Sequence, residues 1–292
     1  HSLRRRQRQM CIRDRIIMGR AIKLILYYLA YQLLFIFLAT GTDATIALIG
    51  GADITANFRP GTMAISIGML LSALAMTWHL VHFHYVKFNK ESMYEVSKKI
   101  ILLCIPLLLS AQFIAGILNE ALDLTDTNQE LFISMSHNIF GVLSIAIVVP
   151  ILEEVLFRGA IEGHLLRKGW SPKWAILVSA LIFGIIHGNP AQIPFAFLIG
   201  LLFGWLYYRT GSLVPGIVGH IINNSFGAWT MFTATREELS QTTMETLGTT
   251  ITYILLVLAI IVFIGMYLYL NKYLPKPTNI QVKAINEQDI TI

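Results

Sequence analysis

Charge is scarce in this sequence: only 13% of the 292 residues are Asp, Glu, Lys or Arg, about half the share of an ordinary soluble protein. That excludes a domain with a fully solvated surface. Cysteine is scarcer still, with Cys11 near the start and Cys104 inside an apolar run, so no disulfide framework is present. The 9 prolines and 21 glycines follow no three-residue period, which excludes a collagen-like chain. Surplus basic charge is also missing from most of the chain. Residues 1–17 hold six arginines and the single acid Asp14, which accounts for the whole net charge of +5. The remainder is neutral overall and offers no basic patch to nucleic acid. What fills the sequence is apolar: 55% of residues, with a mean hydropathy of +0.64. An all-α polytopic membrane protein follows from that composition.

Runs long enough to approach a membrane crossing, which needs about 20 apolar residues, lie near 22–40, 62–86, 100–118, 136–166, 174–188, 191–208, 212–232 and 250–271. They predict about eight transmembrane helices within a domain spanning 18–274. Residues 1–17 lack the apolar core of a signal peptide and are expected as a non-native or disordered basic leader, the alternative being a basic arm on the lipid surface. Residues 275–292 read as a polar cytoplasmic tail. Lysine and arginine concentrate on one side of the predicted crossings: Arg20 and Lys23, then Lys87, Lys90, Lys98 and Lys99, then Arg167, Lys168 and Lys173, then Arg209, then Lys272, Lys276 and Lys283. Acids such as Asp43, Asp53, Glu120, Asp126 and Glu130 fall on the other side. By the positive-inside rule, both termini are expected in the cytoplasm of a multi-pass cell-membrane protein.

An ionisable side chain inside a span costs about 2.5–3.5 kcal/mol even on the mildest scale, so each one demands a reason. Three groups stand out. In the fourth run, Glu154 and Arg158 are four residues apart and stack on one helical face as an ion pair. The adjacent Glu153 points about 100° away and has no cation of its own, which suits a general base. In the fifth run Phe183 precedes His187 by four. In the seventh, His220 and Asn224 are again four apart, and a histidine with an amide on one face can donate to a developing oxyanion. Rise along each helix brings these groups to comparable depth, so a catalytic cavity is expected between helices 4, 5 and 7. The connection Gly188–Gln192 is expected to be drawn into the protein, where non-helical backbone is tolerated if it lines a cavity.

Taken singly, each feature has a plainer reading. Glu154 and Arg158 suit a structural ion pair, and a lone intramembrane histidine commonly joins helices. The cluster Trp78, His79, His82, His84 and Tyr85 suits an interfacial aromatic belt, and Gly200 with Gly204 suits close helix packing. Three acid or histidine groups at one depth on separate spans are what packing alone explains poorly.

Over residues 136–232 these motifs resemble the type II CAAX prenyl endopeptidase family, also called the Abi or CPBP intramembrane proteases. Glu153, Glu154 and Arg158 match its paired glutamates and arginine, Phe183 and His187 its second motif, and His220 and Asn224 its third. The resemblance implies hydrolysis without a covalent intermediate. Glu153 and His187 would activate water, His220 and Asn224 would stabilise the oxyanion, and Glu154, Arg158 and Phe183 would support the site. It implies no cofactor, with zinc on Glu153, His187 and His220 left open, since glutamate and histidine are ordinary zinc ligands. The expected partners are the lipid bilayer and a membrane peptide or lipidated protein substrate, with roles in bacteriocin processing, self-immunity or signalling. Two other classes compete: a non-proteolytic interaction partner of a sensor kinase or bacteriocin, and a proton-coupled transporter.

Overall fold

In this computed structural model residues 2–51, 58–86 and 96–274 are described, with side chains from residue 18 onward. The leader side chains with Cys11, the residues Asp53, Lys87 and Lys90, and the tail 275–292 lie outside that set. The described residues form helices and no strand: α1 (Ser2–Ile49), α2 (Thr62–His82), α3 (Lys98–Leu122), α4 (Gln129–Ser136), α5 (Ile139–Arg167), α6 (Pro172–Ile186), α7 (Gln192–Thr210), α8 (Val214–Thr233), α9 (Arg236–Ser240), α10 (Thr243–Leu247) and α11 (Thr249–Tyr273). The chain is thus an all-α polytopic membrane protein.

Each of the eight apolar runs becomes a helix, but only six are long and apolar enough to cross by themselves: α1 from Met18, α2, α3, α5, α7 and α11. The 15 residues of α6 rise only about 22 Å, short of a hydrocarbon core of about 30 Å. In α8, His220, Asn223 and Asn224 dilute an otherwise apolar 20-residue helix. These two deficient helices carry two of the three polar motifs. They are tolerable because α5 and α7 shield them, and α5 is the most enclosed span, with 56% of its apolar window buried against 6% for α11.

The fourth run does not begin at residue 136. Asn138 interrupts it, its side chain accepting from the Gly141 backbone N–H at 2.7 Å, so that α4 ends and α5 starts as separate helices with a proper N-cap. Within α5 the helix widens twice into π geometry, at Leu143–Val148 and Val155–Glu162. Pro150 explains part of the first widening. The Val149 N–H bonds to the Ser144 carbonyl, five residues back. Residue 150 in the same register would serve Ile145, but proline has no N–H. The Ile145 carbonyl takes the Asn224 side-chain amide instead, at 2.9 Å, which ties α8 to α5.

Connections that the charge rule assigns to one side of the membrane touch one another. The Gly61 N–H bonds to Asp43 at 2.7 Å, Arg236 pairs with Glu130, and Thr243 donates to Glu120. On the opposite side Arg20 lies over the Tyr85 ring, and Arg209 reaches Asn271 and the Leu274 carbonyl. The bend after α6 is drawn inward at one residue. Asn189 is fully buried, accepts from the Thr127 N–H at 3.1 Å and donates to Asp126 at 2.7 Å.

The α1–α2 contact depends on Gly68, where an added Cβ would meet the Ile36 Cα at 2.8 Å. Gly68→Ala is therefore expected to lower the melting temperature of the purified protein, because overpacking against backbone costs about 1–3 kcal/mol. Gly116→Ala, with nothing within 4 Å of the added carbon, should leave it unchanged. In the α9–α10 loop, backbone and side-chain bonds from Thr235 and Thr242 hold the Glu238 and Glu245 carboxyls below their usual range. The caps contribute above that range and are lost as pH falls through the lowered values. Hydrogen exchange across residues 236–247 should therefore accelerate on acidification before the spans lose protection.

Candidate active site

Four buried polar side chains form a connected chain across α5 and α8. An Arg158 Nη donates to Glu154 Oε1 at 2.9 Å, one helical turn back on α5. Nδ1 of His220 lies 3.1 Å from that same oxygen, and its Nε2 lies 3.5 Å from Oε2 of Glu153. The two adjacent glutamates, pointing to different sides of α5, therefore both meet His220. All four residues are at most 6% exposed. Small residues make this possible: a Cβ on Gly216 would stand 2.7 Å from Glu154 Oε2, so α8 approaches the carboxylate only because that position is glycine.

Arg158 is held from three further directions. Its second terminal nitrogen donates to the Gly200 carbonyl of α7 at 3.3 Å, and its guanidinium lies 4.4 Å from the Phe183 ring centroid and 5.3 Å from that of Phe203. Aromatic faces stabilise a desolvated cation, so the phenylalanine of the second motif has a defined place. The edge-to-face contacts of Phe183 with His187 and His220, at 4.9 and 5.8 Å between centroids, also fix the two imidazoles relative to Arg158.

His187 closes α6. Its Nδ1 is 2.7 Å from the Phe183 carbonyl, and because a carbonyl only accepts, Nδ1 carries the hydrogen. Nε2 is then the lone-pair nitrogen of the neutral ring. The Nδ1 of His220 likewise donates to the Glu154 carboxylate. Asn224 accepts from Asn223 at 3.0 Å while donating to the Ile145 carbonyl, which leaves one amide hydrogen uncommitted.

Glu153, His187, His220, Asn223 and Asn224 line one cavity of about 480 Å³. Its walls are broader than the sequence reading of helices 4, 5 and 7. Besides α5, α6 and α8, the lining includes Tyr28, Gln32 and Ile36 of α1, Met69 of α2, Leu131 and Phe132 of α4, and Phe195, Ile199 and Phe203 of α7. Glu154 and Arg158 stand behind the lining. Among the described residues no group of three His, Cys, Asp or Glu is placed to hold a metal ion, and Glu153, His187 and His220 do not come together as such a group.

Several site residues lie outside the motifs. Tyr28 and Gln32, a tyrosine and an amide one turn apart in an apolar run, read in sequence as ordinary packing. Asn223 was hidden beside Asn224. Glu162, two turns beyond Glu154, is fully buried against Gly204 with no hydrogen bond to either oxygen among the described residues, and it does not line the cavity.

Comparison with known proteins places this site in a wider context. Residues 135–226 match the family model described as Rce1-like, type II CAAX prenyl endopeptidase. The chain is 38% identical over 81 residues to YdiL of Bacillus subtilis (strain 168), named as a membrane peptidase, covering 28% of this chain and 33% of that protein. It is 33% identical over 106 residues to the membrane-embedded CAAX protease MroQ of Staphylococcus aureus (strain USA300), covering 35% and 42%. It is also 28% identical over 122 residues to UPF0177 protein YxdF of Lactococcus lactis subsp. lactis (strain IL1403), covering 41% and 63%. The chain therefore spans from a third to less than two thirds of the relatives it matches. No solved structure matches it.

Removing one member of a buried ion pair leaves the other uncompensated, at a cost of about 3–5 kcal/mol. Arg158→Leu is accordingly expected to destabilise the folded protein by roughly that amount, read as an earlier transition in detergent-titrated unfolding. A variant as stable as the parent would refute the pairing.

Proposed function

We propose that this chain, whose residues 135–226 match the family model described as Rce1-like, type II CAAX prenyl endopeptidase, is an intramembrane endopeptidase that hydrolyses a membrane peptide or lipidated protein with a glutamate-activated water. The observation that carries this reading is the convergence of Glu153, His187, His220 and Asn224 on one largely apolar cavity. Burial there is costly for every one of these groups, and a site that binds water and a peptide bond accounts for them together.

The geometry suits the following sequence. Water is held between the Glu153 carboxylate and the lone pair of His187 Nε2. Its oxygen attacks the scissile carbonyl carbon while Glu153 takes a proton, and the carbonyl π pair moves onto oxygen. The resulting oxyanion accepts from His220 Nε2–H and from the free amide hydrogen of Asn224. Collapse re-forms the carbonyl, the C–N bond breaks, and Glu153 passes its proton to the departing amine. His220 can donate through both nitrogens only when doubly protonated. Glu153 and Glu154 flank it with two negative charges, and with Arg158 the four groups then sum to zero. Glu154, Arg158 and Phe183 act by positioning His220 and His187. Apolar walls built from Phe132, Phe195, Ile199 and Phe203 suit a hydrophobic segment or lipid chain beside the peptide bond. Both termini are assigned to the cytoplasm on the distribution of lysine and arginine.

The test uses purified protein in proteoliposomes with two internally quenched peptides, one carrying a farnesylated CAAX terminus and one its unlipidated counterpart. The parent should cleave at least one of them. Glu153→Ala should abolish that cleavage, by at least about 1,000-fold, while its melting temperature stays near that of the parent. Undiminished turnover in a folded Glu153→Ala protein, or no cleavage of either peptide by the parent, would overturn the reading.

A further inference from the structure

Helix α1 contributes a hydrogen-bond donor to the cavity that none of the three motifs contains. Tyr28, Gln32 and Ile36 recur every four residues on one face of α1, and all three line the cavity. The Gln32 side-chain amide donates to the Tyr28 hydroxyl oxygen at 2.8 Å. A phenol whose oxygen accepts in this way still has its own O–H hydrogen to give. Tyr28 is only 5% exposed, and a buried donor requires an acceptor. Among the described residues no side chain or carbonyl accepts that hydrogen; the one hydrogen bond of the Tyr28 side chain is the one it receives from Gln32. Among the described residues its hydroxyl is also the only one on a side chain lining the cavity, whose wall includes Glu153.

The other donors at the site are partly committed. His220 Nδ1 is engaged by Glu154, and Asn224 spends one amide hydrogen on the Ile145 carbonyl exposed by Pro150. The phenol is committed to nothing, and the amide bonded to its oxygen polarises the O–H bond toward stronger donation. We infer that Tyr28 is a further catalytic residue, whose phenolic O–H donates to the scissile carbonyl oxygen as it becomes the oxyanion, with Gln32 as its positioning residue. This rests on the hydrolase reading. Tyr28 forms no covalent bond and transfers no proton; the hydrogen bond strengthens as negative charge gathers on the oxygen and relaxes when the C–N bond breaks.

Tyr28→Phe removes one oxygen and keeps the ring, so it tests the donor without opening the α1 packing. With the two quenched peptides, kcat is expected to fall about 10- to 100-fold, at or below the effect of removing one oxyanion donor elsewhere, with KM within about twofold. A phosphinate peptide mimics the tetrahedral anion and should bind Tyr28→Phe more weakly by a factor similar to the loss in kcat. Gln32→Leu keeps the phenol, removes its partner and should weaken phosphinate binding severalfold. Turnover of Tyr28→Phe within twofold of the parent, or lost turnover with phosphinate affinity unchanged, overturns the inference. Glu153→Ala run alongside separates the two claims. If the parent cleaves neither peptide, the hydrolase reading fails; if Glu153→Ala cleaves like the parent, the glutamate-activated water fails; if Glu153→Ala is inactive while Tyr28→Phe works normally, only the role of Tyr28 falls.

Discussion

The arrangement depends on one buried contact: the Glu154 carboxylate that receives both Arg158 and His220. Each partner alone would be an expensive charge or dipole in a lipid-surrounded interior. Joined, they form a compact polar strut between α5 and α8, backed by the aromatic faces of Phe183 and Phe203 on α6 and α7. Four helices are thereby fixed relative to one another by a single charge-centred cluster. The residues facing the cavity inherit their orientation from it: His220 directly, Glu153 through its neighbour in sequence, and His187 through Phe183.

This clarifies why two adjacent glutamates can have different duties. A helix turns about 100° per residue, so one of them reaches the arginine while the other reaches the cavity. His220 spans that angular gap because its two ring nitrogens point in different directions, one toward each acid. An amide or a hydroxyl at position 220 has no such reach, and a cavity-facing acid without it would be left to the apolar wall.

Much of this was legible in the sequence because membrane spans make polar residues conspicuous. The eight apolar runs, the i, i+4 pairing of Glu154 with Arg158, and the inward bend at Asn189 all follow from helix pitch and the cost of burying polar groups. The parts that were not legible depend on particular tertiary contacts. Nothing in the local pattern says that Asn224 would be diverted to the Ile145 carbonyl, since that requires knowing that α5 widens ahead of Pro150. The contribution of Tyr28 and Gln32 escaped for a related reason: a tyrosine and an amide in a first span look like ordinary packing until α1 is seen against the cavity. The break at Asn138, by contrast, had a recognisable capping signal in front of an apolar run.

The widened turns of α5 also bear on how its sequence can change. A π turn accommodates one more residue than the α turn it replaces, so each of the two stretches holds a residue of slack. Deleting a single position between Leu143 and Val148 would take up that slack: the turn closes to regular α geometry and Glu153 and Glu154 keep their facing. Inserting one there has no such outlet and turns everything after it by about 100°. Glu153 would then swing off the cavity wall and Glu154 away from His220, although every motif residue would still be present. The helix upstream of the paired acids thus tolerates the loss of a residue and not the gain of one.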